Sequence, residues 1–386
     1  MNEWPTVSLR EAGVTLIDCD HRTPAAMPIG YPYVAIPQLD DGHIDISTAR
    51  RISREDFEAW TRKALPLQHD VVLSRRTNPG VTAYVPEGLE FALGQNLVLL
   101  RSDGQTVYPP FLRWLVRGPN WWAQIEQFLN VGAVFDSLKC ADIPSFRLPI
   151  PPMKDQRRIA EILGALDDKI ELNRRMATTL EGLVRAAYAE LQATLSDECS
   201  AGSIADVAFN PRDQVDPRQV DPSTPYIGLE HVPRGRMVLG EWGHAVNAES
   251  GKLAFQRNDI LFGKLRPYFR KVGVVPTSGI CSTDILVIRA RRPEDLGYVL
   301  AVATDAAFIE ASNAGSTGTR MPRTSWSDLV RYPLPIPPAP ARAAFTQFVW
   351  PLIERAQVAV SESETLGHVR DALLPRLLAG DIEVAA

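Results

Sequence analysis

Hydrophobic and polar positions fall into two textures. In the first, short apolar runs at 70–74, 97–100, 259–262 and 284–288 are closed by Gly, Pro, Asn and Ser, the pattern of strands. Segments 111–128 and 296–311 carry helical spacing. The second texture follows Pro151-Pro152. From 155 to 195 there is no proline and only two glycines. Apolar positions step by fours and threes through Ile159, Leu163, Leu166, Ile170, Asn173, Ala177, Leu180, Val184, Ala187 and Leu191. Asn173 is the one polar member of this heptad seam, and such an Asn fixes register at a cost in stability. The spacing predicts a long helix. It fits a core helix packed on its own domain as well as a coiled-coil partner, and the length of the seam favours the partner.

The chain repeats itself. Leu-Pro-Ile-Pro-Pro stands at 148–152 and again at 334–338, an offset of 186. Leu97-Val-Leu-Leu-Arg101 matches Ile285-Leu-Val-Ile-Arg289 at 188, Asp70-Val-Val-Leu matches Asp259-Ile-Leu-Phe at 189, and Pro32-Tyr-Val matches Pro225-Tyr-Ile at 193. Slow drift in one direction is what loop insertions produce, and the period is too long for a solenoid. The 186 offset carries the seam onto Phe345, Val349, Leu352, Ala356, Ala359, Ser363, Leu366, Arg370 and Leu373. Pro351 is expected to kink this second helix or mark its start. The expected fold class is α+β: two tandem α/β domains, 1–147 and 197–333, separated by long helices in 148–196 and 334–386 that pack as an antiparallel coiled coil. The stretch 159–191 is roughly 48 Å long as a helix, more than one turn of DNA at about 34–36 Å.

Composition narrows the class. The chain of 386 residues has 45% hydrophobic and 23% charged residues, ordinary for a globular protein. No 18-residue apolar run or leader-like start is visible, so neither a membrane span nor a secretory signal is expected. Cys19, Cys140, Cys199 and Cys281 form no Cys-x-x-Cys pair, which fits a reducing cytoplasm. The net charge of −5 does not advertise a nucleic-acid binder, so any such surface must be local.

Candidate contact residues sit where strands end. Ser74 is followed by Arg75, Arg76, Thr77, Asn78, Pro79 and Gly80; the matching strand is followed by Lys264, Leu265, Arg266, Pro267, Tyr268, Phe269, Arg270 and Lys271. Arg reads guanine, Asn reads adenine, and Arg or Lys holds phosphate. A solvated turn explains any one of these arginines equally well; recurrence in both copies favours function for the cluster. A second candidate, 315–323, carries Thr319, Arg320 and Arg323 before the second Leu-Pro-Ile-Pro-Pro, and its backbone N–H groups suit phosphate. Its counterpart, 131–137, keeps Gly132 but has no arginine.

Catalytic motifs are missing. Tyr108-Pro-Pro-Phe111 resembles the Asn/Asp-Pro-Pro-Tyr/Phe loop of adenine methyltransferases, but tyrosine lacks the short polar group that holds the target amine, so this reads as a helix start. There is no Walker loop, and the six histidines form no i, i+4 metal pair. No catalytic or metal site is expected.

The segment Leu148-Pro-Ile-Pro-Pro-Met-Lys-Asp-Gln156-Arg-Arg-Ile159-Ala and the ending Leu373-Leu-Pro-Arg-Leu-Leu-Ala-Gly380-Asp-Ile382 resemble the specificity subunits of type I restriction–modification enzymes. That resemblance implies two target-recognition domains, each reading half of a bipartite, asymmetric sequence in double-stranded DNA. It implies a coiled coil that docks two methyltransferase subunits, with restriction/translocase subunits added to them. S-adenosylmethionine, ATP and Mg2+ would sit on those partners, with no cofactor on this chain. The second copy departs from the pattern, since Pro340-Ala-Arg342 stands in place of Lys-Asp-Gln. The competing expectations are a DNA-binding regulator dimerising through the coil and a self-sufficient methyltransferase.

Overall fold

The structure is a computed structural model that describes residues 4–132, 136–194, 198–247, 250–314 and 322–382. The chain forms two compact units, one made of Met1–Asp167 with His368–Ala386, the other of Asp168–Gly367.

The first unit is built on an antiparallel sheet in the order Val14–Asp18, Leu97–Ser102, Val71–Ser74, Thr82–Tyr84. Side chains alternate across it. Val71, Leu73, Val98 and Leu100 face the helices Pro109–Leu115 and Pro119–Phe128, filling a core with Phe111, Trp114 and Trp121. Val72, Leu97 and Leu99 face the other way, toward Val34, Phe91 and Leu93. Burial on both faces explains why these strands read as unbroken apolar runs. The second layer is a small sheet of Arg50–Ile52, Tyr31–Val34 and Ala92–Leu93, the last two parallel.

The second unit repeats this plan. Its sheet runs Ala208–Phe209, Ile285–Ala290, Ile260–Gly263, Val272–Val274. Ile260, Phe262, Leu286 and Ile288 meet the helical core around Tyr298 and Phe308, while Leu261, Ile285 and Val287 meet Ile227 and Cys281. A short pair opens each unit's frame: Val7 opposes Leu148, and Ala201 opposes Pro335.

One ion pair is duplicated as well. Asp70 takes Arg101 Nε at 2.8 Å and Nη2 at 2.6 Å and accepts Leu67 N. Asp259 takes Arg289 Nε at 2.7 Å and Nη2 at 2.6 Å and accepts Gln256 N. A two-pronged Arg–carboxylate contact fixes geometry as well as charge.

Three helical expectations are corrected. Segment 111–128 is two helices, because Pro119 opens a new one after Gly118. Segment 296–311 breaks at Asp305, whose Oδ1 accepts Ala307 N and Phe308 N and so caps the next helix. The second long helix, Ala339–Leu378, runs through Pro351. Pro351 is exposed, as is Gln347, the residue whose carbonyl the proline leaves without a helical donor.

The first long helix is Met153–Thr194. Its buried stripe is Ile159, Leu163, Asp167, Ile170, Asn173, Ala177, Glu181, Val184 and Tyr188. Leu166 and Leu180 are only half-buried. The stripe repeats on eleven residues from Ile159 to Ile170 to Glu181, which is 3.67 per turn and not the heptad's 3.5. On the second helix the buried residues include Phe345, Val349, Ile353, Ala356, Ala359, Ser363, Arg370, Leu374 and Leu377; Leu352 and Leu366 are half-buried. Within the second unit the helices run antiparallel, since Tyr188 packs edge-on to Phe345 while Asn173 Nδ2 donates to Glu362 at 2.8 Å. The division between the two compact units falls inside both long helices, because each helix buries its stripe into the core it passes.

Candidate nucleic-acid interface

In the first unit the chain after Val71–Ser74 closes on itself: Ser74 N donates to Val81 O and Gly80 N to Ser74 O. The loop's Arg76 is bridged to Ser137, and Leu138 N donates to Arg75 O at 2.9 Å. The second unit repeats these contacts. Gly263 N donates to Lys271 O, Leu265 is bridged to Arg323, and Thr324 N donates to Lys264 O at 3.0 Å. Thr77 (φ 65°) and Arg266 (φ 48°) occupy matching left-handed positions. Each strand-end loop is thus zipped to the segment that leads into Leu-Pro-Ile-Pro-Pro. The described ends of the two candidate stretches, Arg76 with Ser137 and Leu265 with Arg323, therefore lie side by side in each unit.

Within that surface the basic residues divide. Arg75 is 8% exposed, and its Nη1 donates to Leu138 O at 3.2 Å. Lys264, at the equivalent place, donates through Nζ to Thr283 O at 2.6 Å. Lys271 Nζ donates to Leu229 O. Burial first, then Arg323 beside Lys264 and Arg234 beside Lys271, lowers both ammonium pKa values. These three residues fasten the loops internally. Arg76, Thr77, Asn78, Arg266, Tyr268 and Arg270 are exposed. Arg270 faces Glu310 at 3.6 Å, and Arg323 is paired with Asp284. Thr319 and Arg320 lie outside the described residues.

Sequence reading missed Arg234. Its guanidinium lies 3.9 Å over the Phe269 ring, brought there from a separate turn, Pro233-Arg-Gly-Arg236. The clustering of Arg around Gly235 was the available signal.

The departure at 340–342 is also explained locally. Gln156 Nε2 donates to Pro151 O at 2.8 Å, while its Oε1 accepts Tyr108 N. Arg342, 186 residues on, donates through Nη1 to Pro337 O and through Nε to Asp295 Oδ1 at 2.6 Å. Both side chains clamp the first turn of a long helix. Tyr108 precedes the helix Pro109–Leu115 as its N-cap, the helix start the sequence indicated.

Asp18, Cys19 and His21 gather their potential ligand atoms within 4.8 Å. His21 Nδ1 faces Cys19 Sγ while Nε2 faces Asp18, so one ion meets only one of these nitrogens. Burial pushes the Cys19 thiol up to about 11, and Asp18 adds to the shift. A thiol held protonated is a poor metal ligand. No helix among the described residues is long and apolar enough to cross a membrane.

Comparison with known proteins follows the same outline. Residues 19–181 match the family model for the type I restriction modification DNA specificity domain. The type I restriction enzyme MjaIX specificity subunit of Methanocaldococcus jannaschii is 21% identical over 282 residues, covering 66% of this chain and 65% of that subunit. The putative MjaX specificity subunit of the same organism is 27% identical over 124 residues, 32% of this chain and 28% of the relative. These alignments therefore span less than two-thirds of either relative. The crystal structure of the S subunit of a type I restriction–modification system from M. genitalium covers 97% of this chain and 96% of its own, with TM-score 0.60 and 13% identity, a likeness of fold. The family match ends inside the first long helix, and the internal repeat ties the second unit to the first. Residues 19–181 thus match a type I restriction modification DNA specificity domain, and the chain is similar to the specificity subunits of type I restriction enzymes.

Proposed function

We propose that the chain is the DNA-reading subunit of a type I restriction–modification system and leaves chemistry to its partners. Each unit reads one half of a bipartite, asymmetric target in double-stranded DNA. The observation that carries this reading is the duplicated frame with unlike exposed side chains. The same loop closure and the same zipped segment present Arg76, Thr77 and Asn78 in one unit, and Arg266, Tyr268 and Arg270 in the other. A shared frame with two different faces suits two different half-sites.

The long helices serve as a coiled coil on which two methyltransferase subunits dock, joined by restriction/translocase subunits. Leu172, Leu183, Phe348, Val358 and Val369 support this, since each is 42–61% exposed on these helices, and exposed apolar side chains mark interaction surfaces when they cluster. S-adenosylmethionine, ATP and Mg2+ belong to those partners.

The test is co-expression with a partner adenine methyltransferase, followed by mapping of methylated adenines. A bipartite motif that changes in one half when the first unit's loop is altered, and in the other half for the second unit's loop, is the expected result. Specific DNA binding without any co-purifying methyltransferase would favour a regulator instead. Methyl transfer by the purified chain alone would overturn the non-catalytic assignment.

A further inference from the structure

The loop after Ile260–Gly263 has an unusual build. A three-residue turn, Pro267–Phe269, is bracketed by two left-handed arginines, Arg266 (φ 48°, ψ 64°) and Arg270 (φ 52°, ψ 42°). Long side chains avoid this region, and strain of that kind persists only where surrounding contacts impose it. The contacts are present. Arg266 N donates to Pro322 O, Phe269 N to Arg266 O, Arg270 N to Pro267 O, and Gly235 N to Arg270 O, all between 2.8 and 2.9 Å. Pro267 is buried. Phe269 is half-buried beneath the Arg234 guanidinium. From this fastened base one ring projects. Tyr268 is 50% exposed and leans edge-on against Phe269, with centroids 4.8 Å apart. The guanidiniums of Arg234 and Arg266 lie 3.9 and 5.9 Å from the neighbouring Phe269 ring, and Arg270, two residues on, faces Glu310 at 3.6 Å. The matching loop of the first unit, 75–80, has no aromatic residue.

An exposed aromatic ring on a fastened turn that also carries arginines suits the edge of a base step. Neutral walls would leave flanking phosphates unbalanced, and a mobile loop would forfeit binding energy in ordering the ring. We propose that Tyr268 is a stacking wedge that enters a base step of the half-site read by the second unit and opens it, while the arginines hold the phosphates on either side. This rests on the DNA-reading function proposed above and adds an asymmetry to it. One half-site is unstacked and the other is read without distortion. Opening a step costs a few kcal/mol and favours flexible pyrimidine–purine steps. Tyr268 thus selects sequence by deformability, at a position where no base edge need be hydrogen-bonded.

The test uses the full chain with whatever subunits co-purify, and a duplex selected by that complex from a random pool. 2-Aminopurine is placed at each step of both half-sites in turn. Its emission is expected to rise at one step of one half-site. Tyr268→Ala should abolish the rise and weaken binding roughly 5- to 150-fold, the range for one aromatic–base stack. Tyr268→Phe and Tyr268→Trp should keep both. Circular dichroism melts confirm that each variant is folded. Selective binding with no emission change at any step would overturn the wedge and leave the DNA-reading function standing. Failure of the wild-type complex to select any duplex would overturn that function itself. A rise in both half-sites, or one that survives Tyr268→Ala, would remove Tyr268 from the role. Equal losses in Tyr268→Phe and Tyr268→Ala would assign the effect to the hydroxyl and overturn stacking.

Discussion

Arg370 Nη1 lies 2.8 Å from Asp167 Oδ1, and both side chains are 3% exposed. The carboxylate also takes Arg113 Nη2 at 2.7 Å and the His43 ring at 3.1 Å. Arg370 in turn reaches Asp41 at 3.0 Å and Asp371 at 2.9 Å. Here the two long helices meet in the first unit through charge where their other stripe positions are apolar. A slip of one turn would part the buried Arg370 guanidinium from the Asp167 carboxylate, so the pair fixes which residues of the two helices lie opposite one another.

Arg370→Leu is expected to destabilise the first unit by about 3–5 kcal/mol, the usual cost of stranding one partner of a buried ion pair. Urea unfolding followed by tryptophan fluorescence measures it. The double variant Arg370→Leu with Asp167→Leu should recover part of the loss, because the buried carboxylate is then not left facing a leucine in place of Arg370. A double variant as unstable as the sum of the singles would refute the pairing.

The same cluster sets an acid limit. Burial alone would raise the Asp167 pKa, but the His43 ring and the Arg113 and Arg370 guanidiniums outweigh it and hold the carboxyl well below the usual range. Its folded-state pKa is therefore depressed. The stability it contributes is present above its unfolded value of about 3.9 and is lost as pH falls toward the folded value. Unfolding free energies between pH 3 and 7 should show the wild type declining with acid more steeply than Asp167→Asn. Parallel curves would disprove the linkage.

Glu181 behaves in the opposite sense. Burial dominates and raises its pKa despite Arg236 at 3.1 Å. A raised carboxyl stabilises the fold only below its unfolded pKa, and this contribution disappears as pH climbs through the folded value. Glu181→Gln should accordingly melt higher than the wild type at neutral pH, with the difference shrinking in mild acid. A constant difference across pH would point to packing and not to charge.

Lys264→Ala and Arg266→Ala, only two residues apart, should fail differently. Lys264 fastens the loop to Thr283 O, so its loss should lower the melting temperature along with DNA affinity. Arg266 is exposed, so its loss should leave melting unchanged and weaken binding by roughly 5- to 150-fold, the range for one good base contact. Paired melting and binding curves separate the two. Unchanged affinity in Arg266→Ala at moderate salt would remove it from the interface.

The repeat was legible because strands and the Leu-Pro-Ile-Pro-Pro segment tolerate little insertion, so their offsets stay close. Even the frame pair was in view, as Asp70 with Arg101 and Asp259 with Arg289 sat in the matched segments. Most positions of the helix stripes were legible, but three were read one residue off. Counting apolar steps selects Leu166, Leu180 and Leu352, whereas the structure buries Asp167, Glu181 and Ile353. A carboxylate belongs in a core only when a distant cation meets it, and Arg113, Arg370 and Arg236 come from elsewhere in the chain. The same limit hid the roles of Arg75 and Lys264. Sequence shows a charge at a turn but not the carbonyl it is tied to.

The second unit is one unbroken run of chain, Asp168–Gly367, whereas the first is assembled from Met1–Asp167 and His368–Ala386. During synthesis the second unit holds all its parts as soon as Gly367 emerges. The first must wait for Arg370, Leu374, Leu377 and Leu378 to fill its core, and for the Leu378 carbonyl to receive the Trp4 indole N–H. At about 5–20 residues per second that wait lasts roughly 10–40 s. For that interval Ile159, Leu163 and the Asp167 carboxylate lack the partners the tail supplies. The half of the molecule made first is thus finished last.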